Sequence, residues 1–247
     1  MTGLDWLTTR PIAHRGLHDA SAGVIENTAT AFMAAIAGRY AIETDLQISA
    51  DGEAMVYHDD ALGRLTEGHA ALATLPAAAI KAAPFRGTAD RIMTLGELCD
   101  LVVGRATLVL EFKSRFDGDN RLAVRAAQVL ASYRGPVAAM SFDPAPVAAL
   151  RTVAPGLARG VVAERRYDHH DWDSLSGIQK LRLAFLLHAG KTQPHFIAYA
   201  VRDLPALAPA VARLLGRPLL TWTVRSSAER ARATRYADQM IFEGLRP

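Results

Sequence analysis

Glu43 and Asp45 stand two apart in a stretch, Ile42 to Asp60, that reads as strand, turn and strand. That spacing sends both carboxylates off one face of the first strand toward a common point. Two carboxylates held so close repel unless a cation or a proton lies between them. Asp51-Gly52 reads as the turn and Ala54 to Tyr57 as the second strand, ending at His58. One hairpin therefore offers two oxygen ligands and an imidazole.

A third carboxylate, Glu111, lies in the run Ala106 to Phe112, otherwise nearly all apolar, where a charge is costly unless it is paired or bound to a metal. His14 and Arg15 close another short apolar run, and Lys113 follows Glu111 by two. Three converging carboxylates make a hard, oxygen-only site suited to one divalent cation, Mg²⁺ or Ca²⁺, rather than to Zn²⁺. His14 and His58 beside it supply an acid and a base that titrate near neutrality. Arg15 and Lys113 add positive charge for an anionic, phosphate-bearing substrate. The combination reads as phosphoryl transfer, and the lack of a Gly-rich phosphate loop favours hydrolysis of a phosphoester over use of ATP.

The same side chains also fit a structural reading. Glu43 would pair with an arginine, Asp45 with Lys113 and His58 with Asp59, while His14 would be a turn residue. What favours chemistry is that all of them fall at one end of the fold their flanking elements predict.

Those elements begin with a strand at 11–15 and an Ala-rich helix from Thr28 to Gly38, capped by Asn27 or Thr28. A strand at 41–48 is joined to 54–58 by a link too short for a parallel crossover, so the two form an antiparallel hairpin. Residues 61–93 are the least periodic part and read as a short excursion with a helical turn. Thr94 and Glu97 form a capping box opening a helix to about 102. From the strand at 106–112 the alternation is regular. A helix at 119–132 precedes a strand at 137–141, and Asp143-Pro144 starts the next helix. The strand at 158–163 leads through a polar His169-His170-Asp171 loop to a helix at 174–188. Strand 196–200, helix 204–215, strand 218–223, a helix capped by Ser226 and Glu229, and strand 239–242 complete the series. Hairpin arm aside, the strands alternate with helices eight times, which predicts a single (β/α)₈ barrel of the TIM type. Residues 1–247 are read as one domain, with one extra β-hairpin strand after the second strand and chemistry at the carboxyl ends.

Composition sets the outer bounds. The chain has 247 residues, half of them hydrophobic, and a net charge of only +3. Its arginines are dispersed, and the group Arg225, Arg230, Arg232 and Arg235 is assigned to a solvated helix, so no nucleic-acid footprint emerges. No apolar run is long enough to span a bilayer, and Met1 to Trp6 lack the pattern of a signal peptide. The single cysteine, Cys99, reads as a buried free thiol in a reducing compartment. A soluble cytoplasmic protein acting on a small molecule is expected, its oligomeric state left open.

At this point the chain resembles the glycerophosphodiester phosphodiesterases. The resemblance is carried by Ala13-His14-Arg15-Gly16, Glu26-Asn27-Thr28 with Ala31-Phe32, Glu43-Thr-Asp45, Asp51-Gly52, His58-Asp59, Glu111-Phe-Lys113, Ser141-Phe142 and Trp222-Thr223-Val224. These occur in the family's order over nearly the whole chain. The resemblance implies the same barrel, one divalent cation, and hydrolysis of a glycerophosphodiester to sn-glycerol 3-phosphate and an alcohol. By motif, Glu43, Asp45 and Glu111 would hold the metal, His14 and His58 would be the acid/base pair, and Arg15 and Lys113 would hold the phosphate. Phe142 and Trp222 would wall the glycerol or the leaving group, or else pack in the core. Glu26 would support a ligand rather than be one, and Asn27 would do likewise or cap the helix.

Three departures stand out. Val24-Ile25 replaces the usual Gly-x-x-Pro before Glu-Asn-Thr, the region after His58 is short with no obvious extra domain, and the last strand, Met240 to Gly244, lacks the usual Thr-Asp ending, which bears on substrate preference. The nearest alternative is a lysophospholipase D, with 61–93 supplying a groove for an acyl chain. A barrel that binds phosphodiesters without turnover would have lost a histidine. A metal-dependent barrel lyase would carry its base lysine on a later strand than Lys113.

Overall fold

The computed structural model describes residues 3–247; Met1 and Thr2, where the signal-peptide reading begins, lie outside the described residues. The apolar runs become strands: β1 (Ile12–Ala13), β2 (Ala41–Ile48), β3 (Ala54–Val56), β4 (Leu108–Phe112) and β5 (Val137–Ser141), then β6 (Ala158–Ala163), β7 (Phe196–Ala200), β8 (Leu219–Val224) and β9 (Gln239–Phe242). Their order is β1-β9-β8-β7-β6-β5-β4-β2, all parallel, and the pairing of Ile12 with Ala41 closes the cylinder. β3 is bonded antiparallel to the outside of β2, with Leu46 opposite Val56. This is the expected (β/α)₈ barrel with its extra hairpin strand.

A strand buried on both faces needs an apolar residue at almost every position, and alternate residues then serve different cores. The inward set forms one cluster, including Ile12, Ala41, Val109, Met140, Phe196 and Leu220. The outward set, including Ile42, Leu108 and Leu110, packs beneath the helices. Gly160 on β6 shows how tightly the inner layer is filled, since a Cβ there would lie 2.4 Å from the Phe196 ring. Only glycine lets that ring lie over the neighbouring strand β6.

Helix limits follow local capping more closely than periodicity. The helix expected at 174–188 spans only Gly177–Ala184, because Ser176 and Gln179 form a capping box that fixes its start and a 3-10 turn occupies His170–Trp172. The helix expected at 204–215 runs Leu207–Leu214, after a 3-10 turn over Val201–Asp203 and Pro205. The helix expected at 119–132 is likewise trimmed to Arg121–Leu130. Thr28 rather than Asn27 caps the helix Ala29–Ala37, its hydroxyl accepting from the Ala31 amide. Arg225 precedes the helix Ser227–Tyr236 instead of lying on it.

The excursion at 61–93 has a core of its own. Leu72, Ile80, Phe85 and Ile92 pack with Met55 and Tyr57 of the hairpin arm, and isolated antiparallel bridges join 61 to 71, 66 to 85 and 84 to 91. Among the described residues no helix is long and apolar enough to cross a membrane. Cys99 is buried and free.

Candidate active site

The inward register that carries Ala41 to the barrel floor carries Glu43 and then Asp45 to its carboxyl end. Asp45 lies directly opposite Glu111 across the β2–β4 ladder. Oxygens of the three carboxylates come within 4.8 Å of one another, and all three residues are buried. Burial pushes the Glu43 carboxyl well above its usual range, and the neighbouring charges of Asp45 and Glu111 push it the same way. Glu43 Oε2 accepts from the Arg15 amide at 3.0 Å, while its buried Oε1 receives no donor. A buried oxygen without a donor, beside two further carboxylates, fits a small hard cation.

Asp45 goes the other way. Burial would raise it, but the Lys113 ammonium at 2.8 Å and Arg15 outweigh burial and hold it well below the usual carboxylate range. Lys113 also bonds Glu111; burial opposes its charge, yet the two carboxylates keep it protonated beyond the ordinary lysine range. The pairing of Asp45 with Lys113 anticipated by the structural reading is thus present, inside the acidic cluster rather than in place of it.

Backbone geometry brings the next layer in. Arg15 and Asn27 both adopt the left-handed region, with φ of 55° and 56°. Gly16 follows at φ +80°, and a Cβ there would sit 2.9 Å from that of Ala31. This tight corner aims the Arg15 amide at Glu43, its Nη1 at Glu26 (2.7 Å) and its Nε toward Asp45 (3.3 Å). Asn27 donates through Nδ2 to Asp45 Oδ2 at 2.9 Å and accepts from the Thr44 hydroxyl at 2.6 Å. Asn27 therefore orients Asp45. Glu26 bridges Arg15 and Arg64 and stands outside the carboxylate cluster.

Each histidine has a carboxylate behind it. His14 Nδ1 lies 2.8 Å from Glu243 Oε2, with Nε2 on the far side of the ring 3.9 Å from Glu43. Burial lowers the His14 pKa, outweighing the hydrogen bond to Glu243, whereas that same bond holds the Glu243 carboxyl down at about 2. Burial favours the neutral imidazole, and an ionised Glu243 accepts from Nδ1, which leaves the lone pair on Nε2. Arg225 donates to the same Glu243 oxygen, Oε2, at 2.9 Å.

His58 Nδ1 lies 2.7 Å from Asp59 Oδ1. Burial would raise Asp59, but hydrogen bonds from His58 and Arg64 bring it to about 2. Arg64 binds Asp59 through Nε at 2.7 Å and Glu26 through Nη2 at 2.7 Å, so one run of charges links His58 to Arg15 and on to Asp45.

His14, His58, Glu43, Glu111 and Lys113 open into a cleft of about 840 Å³ whose opposite wall is aromatic. Phe142 meets Trp222 edge-on at 5.3 Å and Trp172 at 4.8 Å, and Trp172 meets Tyr167 at 5.1 Å. Glu164 ties this wall down, accepting from Trp172 Nε1 at 2.7 Å and from Arg202 at 2.6 Å.

Sequence reasoning missed Glu243, Glu164, Asp59, Arg64 and Trp172 as site residues. For two of them a signal existed. Ile241 and Val162 face the axis, so the next inward positions are 243 and 164, both acidic. Arg64 and Trp172 arrive from irregular segments that no periodicity reaches.

Comparison with known proteins carries the argument from fold to family. No curated protein matches the chain. Among solved structures, an Oleispira antarctica phosphodiesterase in complex with the product sn-glycerol-3-phosphate superposes with a TM-score of 0.78 at 20% identity, covering 96% of this chain and 94% of that one. A glycerophosphodiester phosphodiesterase from Thermotoga maritima gives 0.69 at 22% identity over 94% and 92% of the two chains, and one from Agrobacterium tumefaciens gives 0.70 at 19% over 95% and 96%. At such identities the likeness establishes the barrel. A sequence model of the glycerophosphoryl diester phosphodiesterase family matches residues 14–244, from the histidine just after β1 to the glycine after Glu243. Every segment of the site lies inside that match, and the chain belongs to this family of phosphodiester hydrolases.

Proposed function

We propose that the chain hydrolyses glycerophosphodiesters, such as glycerophosphocholine, to sn-glycerol 3-phosphate and an alcohol, with Glu43, Asp45 and Glu111 holding one divalent cation, Mg²⁺ or Ca²⁺. The observation that carries this reading is the carboxylate cluster flanked by two imidazoles, each with Nδ1 tied to its own carboxylate. A cation bound there would withdraw charge from a non-bridging phosphate oxygen. The remaining work falls to side chains. His14, kept neutral with Nε2 toward the carboxylates, takes a proton from the nucleophile. His58, whose ring is backed by Asp59, gives one to the departing alkoxide. Arg15 and Lys113 offset phosphate charge, and Phe142 and Trp222 exclude water from the side of the leaving group. The whole chain is read as one such domain, acting on a small soluble substrate in the cytoplasm.

The lysophospholipase D reading has less support. It needs an apolar groove from residues 61–93, and the large apolar side chains of that segment are turned into its own core.

The test is a turnover screen of glycerophosphocholine, glycerophosphoethanolamine, glycerophosphoglycerol and a lysophospholipid, each with Mg²⁺, Ca²⁺ or chelator. The expected result is release of sn-glycerol 3-phosphate from the water-soluble diesters, abolished by chelator. Equal turnover with chelator would remove the metal, and turnover of the lysophospholipid alone would reverse the substrate assignment.

A further inference from the structure

A second group of metal-ligating side chains stands behind His14, on the side of the ring turned away from the carboxylates. His14, His18 and Glu243 each bring a ligand atom within 4.8 Å of the others, and all three are half-buried. His14 Nδ1 and Glu243 Oε2 are already 2.8 Å apart. His18 comes from the loop after β1, which is held on both sides of it: the Leu17 amide donates to the Ala31 carbonyl at 3.0 Å and the Asp19 amide to the Val24 carbonyl at 2.9 Å. The Nε2 of His18 is buried and has no hydrogen-bond partner. A buried imidazole nitrogen left so needs a reason, and the hydrolytic reading supplies none.

Two imidazoles and one carboxylate are a donor set for Zn²⁺, whereas the three carboxylates on the other side of the ring suit a hard cation. Around a tetrahedral Zn²⁺ with bonds of about 2.0 to 2.1 Å, ligand atoms stand about 3.3 Å apart. The His14–Glu243 pair lies just inside that spacing, and His18 is a side-chain adjustment away. Arg225 opposes a further cation, but its guanidinium is exposed and holds Glu243 through Oε2 alone, which leaves Oε1 without a donor among the described residues.

We propose that His14, His18 and Glu243 form an inhibitory Zn²⁺ site, separate from the site at Glu43, Asp45 and Glu111. The inhibition rests on the assignment of His14 as base. Zn²⁺ on Nδ1 replaces the hydrogen bond to Glu243, and the single proton of the neutral ring moves to Nε2, the nitrogen that faces Glu43. With Nε2 protonated, His14 has no lone pair to take a proton from the nucleophile. Loss of Zn²⁺ returns the proton to Nδ1 and restores the base.

The experiment uses the full chain in excess Mg²⁺, which keeps the carboxylates occupied. Equilibrium dialysis should leave a single Zn²⁺ on the wild-type chain and none on His18→Ala or His18→Gln, and Co²⁺ in its place should show the visible bands of a tetrahedral site. Both variants should keep the parent rate on glycerophosphocholine, while the Zn²⁺ concentration that halves this rate rises by at least about tenfold. Zinc that the wild-type chain does not retain, or that both variants retain equally, overturns the proposal. So does inhibition relieved by further Mg²⁺, which would put the zinc among the carboxylates, and so does zinc held through His18 with no loss of rate. Dialysis needs no turnover, so a chain that binds Zn²⁺ through His18 but leaves every glycerophosphodiester intact would overturn the hydrolytic reading and not the site.

Discussion

Between β9 and β4 the strand ends present His14, Glu43, Asp45, Glu111 and Glu243; between β5 and β8 they present Phe142, Glu164 and Trp222. Both arcs rest on the same apolar floor and use the same register, in which the inward position at or just past the end of the strand carries the functional group. They are stabilised by opposite means. On the charged arc Asp45, Glu111 and Glu243 are each paired with a lysine or arginine, and the Asp45 and Lys113 charges are buried, so removing one leaves an uncompensated charge. On the aromatic arc the rings fix one another, and only Glu164 contributes a charge-assisted bond. Substitutions should therefore act sharply and through kcat on the first arc, and gradually and through KM on the second.

The largest effect is expected for Asp45→Asn, which removes the buried negative charge that faces Lys113 and Arg15 and that Asn27 orients. Loss of several kcal/mol of transition-state stabilisation corresponds to about a thousandfold in turnover. Calorimetry should record weaker Mg²⁺ or Ca²⁺ binding, and unchanged affinity would take Asp45 out of the metal site. His14→Ala should cost about a hundredfold or more with metal still bound. Parent-rate hydrolysis by that variant would end its assignment as acid or base.

Glu243→Gln tests the charged arc at one remove, because it keeps the shape of the side chain but loses the charge that orients His14. A fall of about tenfold to a hundredfold in kcat, with KM nearly unchanged and partial recovery in Glu243→Asp, is expected of a group that holds a functional imidazole in place. A rise in KM alone would instead put Glu243 against substrate.

Trp172→Ala probes the other arc. Loss of its ring contacts to Phe142 and Tyr167 should raise KM by about threefold to tenfold and leave kcat close to the parent. A change of the same size in kcat would erase the distinction between the arcs.

The smallest effect concerns stability. Asp59 has a folded pKa of about 2, below its unfolded value near about 3.9, so its bonds to His58 and Arg64 stabilise the fold at any pH above about 4. That contribution fades as pH falls through about 2. Denaturation of parent and Asp59→Asn should differ at neutral pH and converge in acid; a gap that persists in acid would assign the loss to packing.

Much of this architecture was legible in the residues. Strands such as 41–48, 137–141, 158–163 and 239–242 were readable to the residue because short, mostly apolar runs stand between turn and helix signals. Helix ends were less legible, as at 174–188, because a capping serine decides them and periodicity runs straight past it. Glu43, Asp45 and Glu111 could be found because a charge inside an apolar strand demands a reason. Glu243 escaped because it lies one residue outside its strand, in a segment first noticed for what it lacked. Arg64 lay beyond any such logic, since its meeting with Asp59 and Glu26 depends on how an irregular excursion folds back.

The ring of Phe196, lying over Gly160 of the adjacent strand, belongs to the layer of inward apolar side chains that fills the cylinder below the carboxylates. Traffic is accordingly one-sided: whatever is made at the carboxylates must leave by the opening through which its precursor came. Slow departure of either fragment would hold up the next arrival, so inhibition by product should be competitive in form.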